Sequence, residues 1–265
     1  MARSRKIPVP TEPPFRAEHI GSLLRPAALV AIRERFACGE IDRHALTAAE
    51  DAAIAEAVTL QQRVGLKLAT DGEFRRRSYH SYFYGRLGDI VPDMVDRAKK
   101  APGRGAQPMA VVNSRIKWSG PIHVGDYEYL RARTPAVPKI TIPGPCAVHF
   151  RGGDAAVTAH AYTDVDEFWD DTVTAFQEEL NALAVAGCTY VQIDETAFAK
   201  FGDPAVQQTL AARGDDWSAL IDTYIAVANR VLRGAPSAAP RPYGRSACAL
   251  AAASSTASRS IASCA

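Results

Sequence analysis

Cysteine is scarce in this chain and never closely paired. Cys38, Cys146, Cys188, Cys248 and Cys264 are scattered singly, with no CxxC spacing. An odd count without close spacing argues against a disulfide framework and a ready-made zinc knuckle. No His-x-Cys or His-x-His pair occurs, so no preformed zinc site is legible and no metal ligand is assigned. No glycine-rich nucleotide fingerprint follows a strand, which removes a nucleotide cofactor. Apolar runs all fall short of the roughly 18–20 residues that span a bilayer. The net charge of +2 gives no polyelectrolyte signal, so neither nucleic acid nor membrane is an expected partner. The basic start, Met1 to Lys6, leads into prolines instead of an apolar signal core, and the expectation is a cytoplasmic protein.

Acidic residues and lysine are missing from the end of the chain. The last acid is Asp222, and residues 234–265 are mostly Ala, Ser, Arg and Pro. Two readings stand for this low-complexity tail. One is natural disorder, because such a composition cannot bury a core. The other is translation of a GC-rich gene in a shifted frame, favoured because the fold signal stops mid-architecture. No β-branched alternation marks a fifth barrel strand there.

What the sequence does have is a series of short apolar runs that end in polar clusters. Residues 1–14 hold Pro8, Pro10, Pro13 and Pro14 and read as an extended arm. Four strands are expected over residues 15–20, 66–69, 139–142 and 189–193. They end in His19-Ile20-Gly21-Ser22, Thr70-Asp71-Gly72-Glu73, Pro143-Gly144-Pro145 and Asp194-Glu195. Helices are expected between them: one after Pro26, one opened by the capping box Thr47-Ala48-Ala49-Glu50, and one capped by Asp164. Others start at Asp126, Asp203 and Asp216. Residues 88–125 read as an insertion carrying a hairpin, either a lid over the site or an inert surface excursion. Strand and helix alternation predicts a parallel sheet, and the long spacing between strand ends favours a TIM-type α/β barrel. Only about the first four βα units are present, over residues 15–233.

In such a fold, residues just past the strand ends face the ligand. Glu73 and Asp194 suit a cationic amine, and the backbone at Ile20, Gly21 and Ser22 suits a carboxylate, since glycine permits close approach. Together they describe an amino-acid site. For each residue a plainer role stays open: a salt bridge to Arg75 or Arg76 for Glu73, helix capping for Asp194 and Glu195, a turn for Ser22. Glu195, His19 and His149 can line the site, and either histidine can equally be a hydrogen-bonded structural residue.

The segments Glu18 to Pro26, Thr70 to Glu73, Pro143 to Pro145 and Gln192 to Glu195 occur in an order that resembles the catalytic domain of cobalamin-independent methionine synthase. The likeness is nearest to the short single-domain members, where His-Phe-Arg-Gly-Gly also occurs, as at His149 to Gly153. It covers roughly residues 15–233. The resemblance implies methyl transfer to the thiol of homocysteine, with zinc activating the thiolate. It implies that Ile20, Gly21 and Ser22 bind the amino acid's carboxylate and that Glu73 and Asp194 hold its amine. The family's zinc ligands lie on later strands and match no motif here, which implies an impaired chain. The tryptophan that meets the folate ring in full-length synthases has no counterpart between Cys146 and Phe150, so methyl folate as donor is in doubt. Alkyl transfer to another thiol is the alternative, as is a non-catalytic half-barrel that binds ligand or self-associates through its open edge. The uroporphyrinogen decarboxylase barrel is a further relative, but Ile-Gly-Ser with Ile-Asp-Glu favours the methionine synthase branch.

Overall fold

The computed structural model describes residues 19–92, 110–158, 160–234 and 247–250. Helix α1 (Ala27–Ala37) starts after Pro26, whose fixed φ suits a helix start, and packs on α2 (Arg43–Arg63). The second helix begins earlier than its capping box implies. Asp42 accepts a hydrogen bond from Ala45 N at 2.8 Å and is the cap, which places Thr47 and Glu50 inside the helix. Glu50 is buried there and pairs with Arg33 at 3.1 Å.

Strand β1 (Leu68–Ala69) is followed by α3 (Tyr79–Tyr84). The expected insertion contains an antiparallel hairpin, β2 (Ile90–Pro92) with β3 (Ala110–Val112), in the register Ile90 opposite Val112. Its predicted turn at residues 102–105 lies outside the described residues. Helix α4 (Val124–Arg131) comes next.

The third barrel strand is one run in two halves, β4 (Val137–Pro138) and β5 (Ile140–Pro143), interrupted at Lys139. The first half pairs in parallel with β1, and Lys139 N carries the ladder on to Ala69 O at 2.8 Å. Helix α5 (Ala147–Thr158) is broken by Gly153 at φ 64°, a conformation open to glycine, and it packs against β3. Sequence periodicity gave no sign of α5, because Gly152-Gly153 interrupts it. Helix α6 (Val165–Val185) is capped by Asp164 as expected, and β6 (Tyr190–Asp194) pairs in parallel with β5.

After β6 come α7 (Thr196–Lys200), α8 (Pro204–Ala212) and α9 (Trp217–Gly234). Asp203 caps α8, and Asp216 receives the first N–H groups of α9. Ile140, Ile142 and Ile193 of the strands are almost completely buried, alternating with the buried polar residues Thr141 and Gln192. Phe168, Phe176 and Leu183 of α6, with Tyr224 and Val231 of α9, complete the same core. This is the layering of a parallel barrel, strands inside and helices outside.

Two expectations change. The first strand falls mostly outside the described residues, and His19 and Ile20 carry no strand. In the tail, Ala247–Leu250 forms a strand, β7, parallel to β6 in the register Tyr190 opposite Ala247. The sequence pattern offered no fifth strand. Ladder hydrogen bonds are made by the main chain, so the outer edge of β6 recruits a segment without β-branched residues.

Candidate active site

The strand ends converge through buried polar side chains. Gly21 has φ 143°, and a Cβ there would lie 2.5 Å from Thr141 Cγ2, so only glycine fits this approach. Thr70 Oγ1 donates to Gly21 O at 2.7 Å, tying the first strand end to the second. Ile20 and Ser22 are exposed beside it.

Glu73 is buried and is the one non-glycine residue with positive φ among the described residues, at 60°. Such a conformation is strained and is held by its surroundings. Glu73 N donates to Asp71 Oδ1 at 2.9 Å, and Arg25 Nη2 donates to Glu73 O at 3.0 Å. The Glu73 side chain accepts from Thr141 Oγ1 at 2.9 Å through Oε1. Arg76 Nη1 donates to the same threonine at 3.1 Å and stands 3.9 Å from Oε1. The salt bridge foreseen as an alternative for Glu73 is therefore present, but long and deeply buried instead of superficial.

Lys139 is buried at the point where the third strand changes partners. Its Nζ donates to His19 O at 2.5 Å and to Gln192 Oε1 at 2.9 Å. Gln192 Nε2 donates in turn to Asp194 Oδ1 at 2.5 Å. Burial pushes the Asp194 carboxyl up to about 6. The Gln192 hydrogen bond opposes that rise, the charge of Glu73 adds to it, and Lys139 and Arg76 pull it back. Among the described residues, Glu73 Oε2 and Asp194 Oδ2 accept no hydrogen bond. Two neighbouring carboxylates thus each have one oxygen anchored and one open.

The other sequence candidates fall elsewhere. Glu195 is wholly buried, with Oε2 accepting from Cys146 N at 2.9 Å and Oε1 from Ala197 N at 3.1 Å. It caps α7 and clamps the Pro143-Gly144-Pro145 turn. A Cβ on Gly144 would come within 2.2 Å of Glu195 Oε2. His149 bonds Tyr224 Oη through Nδ1 at 2.8 Å and Asp154 Oδ1 through Nε2 at 2.7 Å, within an aromatic cage of Trp169 and Tyr224. It braces α5 against α9 and makes no bond to Glu73 or Asp194. His19 stays at the site, with Nε2 2.9 Å from Gln61 Oε1.

Sequence reading missed the roles of Thr141, Lys139 and Gln192, and named Arg76 only as a possible partner of Glu73. Each lies in a strand or loop whose apolar or basic neighbours hid it. Period-two spacing on one face of the third and fourth strands was the available signal.

No three of His, Cys, Asp and Glu converge into a ligand set among the described residues. Burial raises the thiol of Cys188 to about 12 and that of Cys146 well above its ordinary value, so both stay protonated. The described residues therefore do not fit a zinc site.

Residues 15–233 match the family described as cobalamin-independent synthase, catalytic domain. The chain belongs to that family. Similar proteins include YxjH and YxjG of Bacillus subtilis, both described as uncharacterized. YxjH is 31% identical over 77% of this chain and 54% of its own length, and YxjG is 33% identical over 72% and 50%. The chain thus spans about half the length of these relatives. The 5-methyltetrahydropteroyltriglutamate–homocysteine methyltransferase of Thermosynechococcus vestitus is 25% identical over 79% of this chain and 26% of that enzyme. Among solved structures, a putative vitamin-B12-independent methionine synthase from Listeria monocytogenes superposes with a TM-score of 0.66. It shares 29% identity and covers 84% of this chain and 63% of its own. The fold class expected from the sequence is that of the family.

Proposed function

We propose that the chain carries the amino-acid half of a methyl-transfer site whose acceptor is the thiol of homocysteine. The observation that carries this is the pair of open oxygens, Glu73 Oε2 and Asp194 Oδ2. A buried carboxylate pair with one oxygen each held by Thr141 and Gln192 is preorganised for an ammonium group. The Ile20-Gly21-Ser22 backbone, beside it, takes the α-carboxylate. His19 lines the same end, while Glu195 and His149 support the scaffold.

The family's zinc would supply the thiolate, and the described residues offer no ligand set for it. The chain is expected to bind the amino acid and to show little methyl transfer. A methyl folate is the donor suggested by the synthase relatives, and another donor or thiol is compatible with the same carboxylate pair. The same imbalance favours a second reading, a binding module that has the carboxylate pair without the chemistry. Its remaining open edge would favour self-association, which sizing by chromatography tests.

Calorimetric titration of homocysteine into the full chain tests the assignment. Glu73→Gln and Asp194→Asn should each weaken binding by about 10- to 100-fold, as loss of a charge-assisted hydrogen bond does. Equal affinity in both variants and the parent would sink it. Turnover with methyl folate, with and without added zinc, then separates enzyme from binding module.

A further inference from the structure

A second charged cluster, of the opposite sign, lies around α7, the helix that follows Asp194 and Glu195. Arg151 on α5 and Lys200 on α7 are both half-buried. Among the described residues neither makes an ion pair. Arg151 Nη2 lies 2.9 Å from His80 Nε2 and 3.2 Å from His80 Nδ1, a neutral partner. Burial, aided by Arg151 and Lys200, pushes His80 down to about 3, so the imidazole accepts and adds no charge. Lys200 Nζ sits 5.3 Å over the ring of Phe150, the residue before Arg151. The nearby Glu195 carboxylate is already committed to the N–H groups of Cys146 and Ala197.

Two cations close together repel each other, and the carboxylate that acts on Lys200, Glu195, offsets only part of that charge while accepting two backbone N–H groups. Burial lowers the Lys200 ammonium below its ordinary value, Arg151 lowers it further, and Glu195 opposes the drop. Such a pair persists where a ligand supplies the missing charge. Hydroxyl groups complete the surround: Tyr79 Oη lies 3.3 Å from Thr196 Oγ1, and the Tyr79 ring lies tilted against His80 with centroids 3.4 Å apart. Thr196 opens α7, the helix that Glu195 caps directly after Asp194, so this cluster adjoins the end of β6.

We propose that Arg151 and Lys200, flanked by Tyr79, form a subsite for one compact anionic group, a carboxylate or phosphate, carried by the second substrate. The proposal rests on the reading that Glu73 and Asp194 hold the amino-acid acceptor. Arg151 supplies a planar fork for two oxygens and Lys200 a point charge, a combination suited to either anion. Sign complementarity keeps the substrates apart, because the ammonium goes to the carboxylate pair and the anion to the cation pair.

The test is equilibrium binding to the full chain at constant ionic strength, with inorganic phosphate and acetate as separate probes and chloride as the background. One-to-one binding of either probe is expected, and the tighter of the two identifies the group. Lys200→Gln and Arg151→Gln should each weaken it by about tenfold or more, while Lys200→Arg retains it. Circular dichroism checks the fold of each variant, and the half-exposed Lys200 pair of variants keeps the test alive if Arg151→Gln unfolds. Saturating homocysteine should leave the anion affinity unchanged. Binding of neither probe, or binding indifferent to Lys200→Gln, overturns the subsite. Competition by homocysteine would assign the anion pocket to the acceptor's own carboxylate and overturn its allocation to a second substrate. Failure of homocysteine to bind, with anion binding intact, would count against the carboxylate-pair reading alone.

Discussion

Replacing Thr141 with valine removes one hydroxyl that serves two buried charges. That hydroxyl donates to Glu73 Oε1 at 2.9 Å and accepts from Arg76 Nη1 at 3.1 Å. Valine keeps the shape and the methyl that faces Gly21, so the change isolates the hydrogen bonds. Each bond to a charged group contributes about 1.5–3 kcal/mol net. Arg76 already has Nε and Nη2 buried without a partner, so it has nowhere else to turn. It stands 3.9 Å from Glu73 Oε1, and closing that gap would return part of the loss. A net destabilisation of about 3 kcal/mol follows. In a domain of this size that lowers the melting temperature by roughly 6–12 °C. Calorimetry on the parent, Thr141→Val and Thr141→Ser decides the matter. Serine keeps the hydroxyl and deletes only the methyl, for a cost of about 1 kcal/mol. A valine variant that melts within about 2 °C of the parent, or no lower than the serine variant, would falsify the idea that this hydroxyl anchors Glu73.

The pH dependence has a worked sign. Asp194 titrates at about 6 when folded, above the roughly 3.9 of an unfolded aspartate, so folding takes up a proton between those values. Its contribution to stability is therefore largest at low pH and declines as pH rises through about 6, while amine binding, which needs the carboxylate, should tighten over the same interval. Binding isotherms between pH 5 and 8 measure this, and a flat profile that Asp194→Asn leaves unchanged would refute it. Gly144→Ala should destabilise by about 3 kcal/mol or more, because its Cβ would meet Glu195 Oε2 at 2.2 Å; an unshifted urea midpoint would contradict that packing. Zinc measured on the purified chain should fall well below one equivalent, and stoichiometric tight zinc with homocysteine turnover would overturn the expectation of a silent chain.

Much of the fold was legible because it is written in local pattern. The apolar runs at Ile140 to Ile142 and Tyr190 to Ile193 and the caps at Asp164, Asp203 and Asp216 all depend on near neighbours. What escaped depends on distant partners. Helix α5 forms despite Gly152-Gly153 because Phe150 and Val157 are buried against other elements. Helix α2 starts earlier than its capping box because Asp42 accepts from Ala45 N, and Glu50, inside the helix, pairs with Arg33. Site residues divided the same way. Glu73 and Asp194 advertise themselves as acids at strand ends. Thr141 and Gln192, which give those acids their orientation, are ordinary strand residues until the strands lie side by side. His149 takes the structural role left open for it, with one nitrogen bonded to Tyr224 of α9 and the other to Asp154 of its own helix.

Lys139 has a consequence for chemical identity as well as position. An amide side chain can turn over, exchanging its oxygen and nitrogen at little steric expense. The ammonium of Lys139 can only donate, so it fixes the Gln192 oxygen on its own side and sends the nitrogen to Asp194. That choice reserves Asp194 Oδ1 and leaves Oδ2 to a ligand. On the proposed reading, a cation in the barrel wall thereby decides which lone pairs an incoming amine would meet.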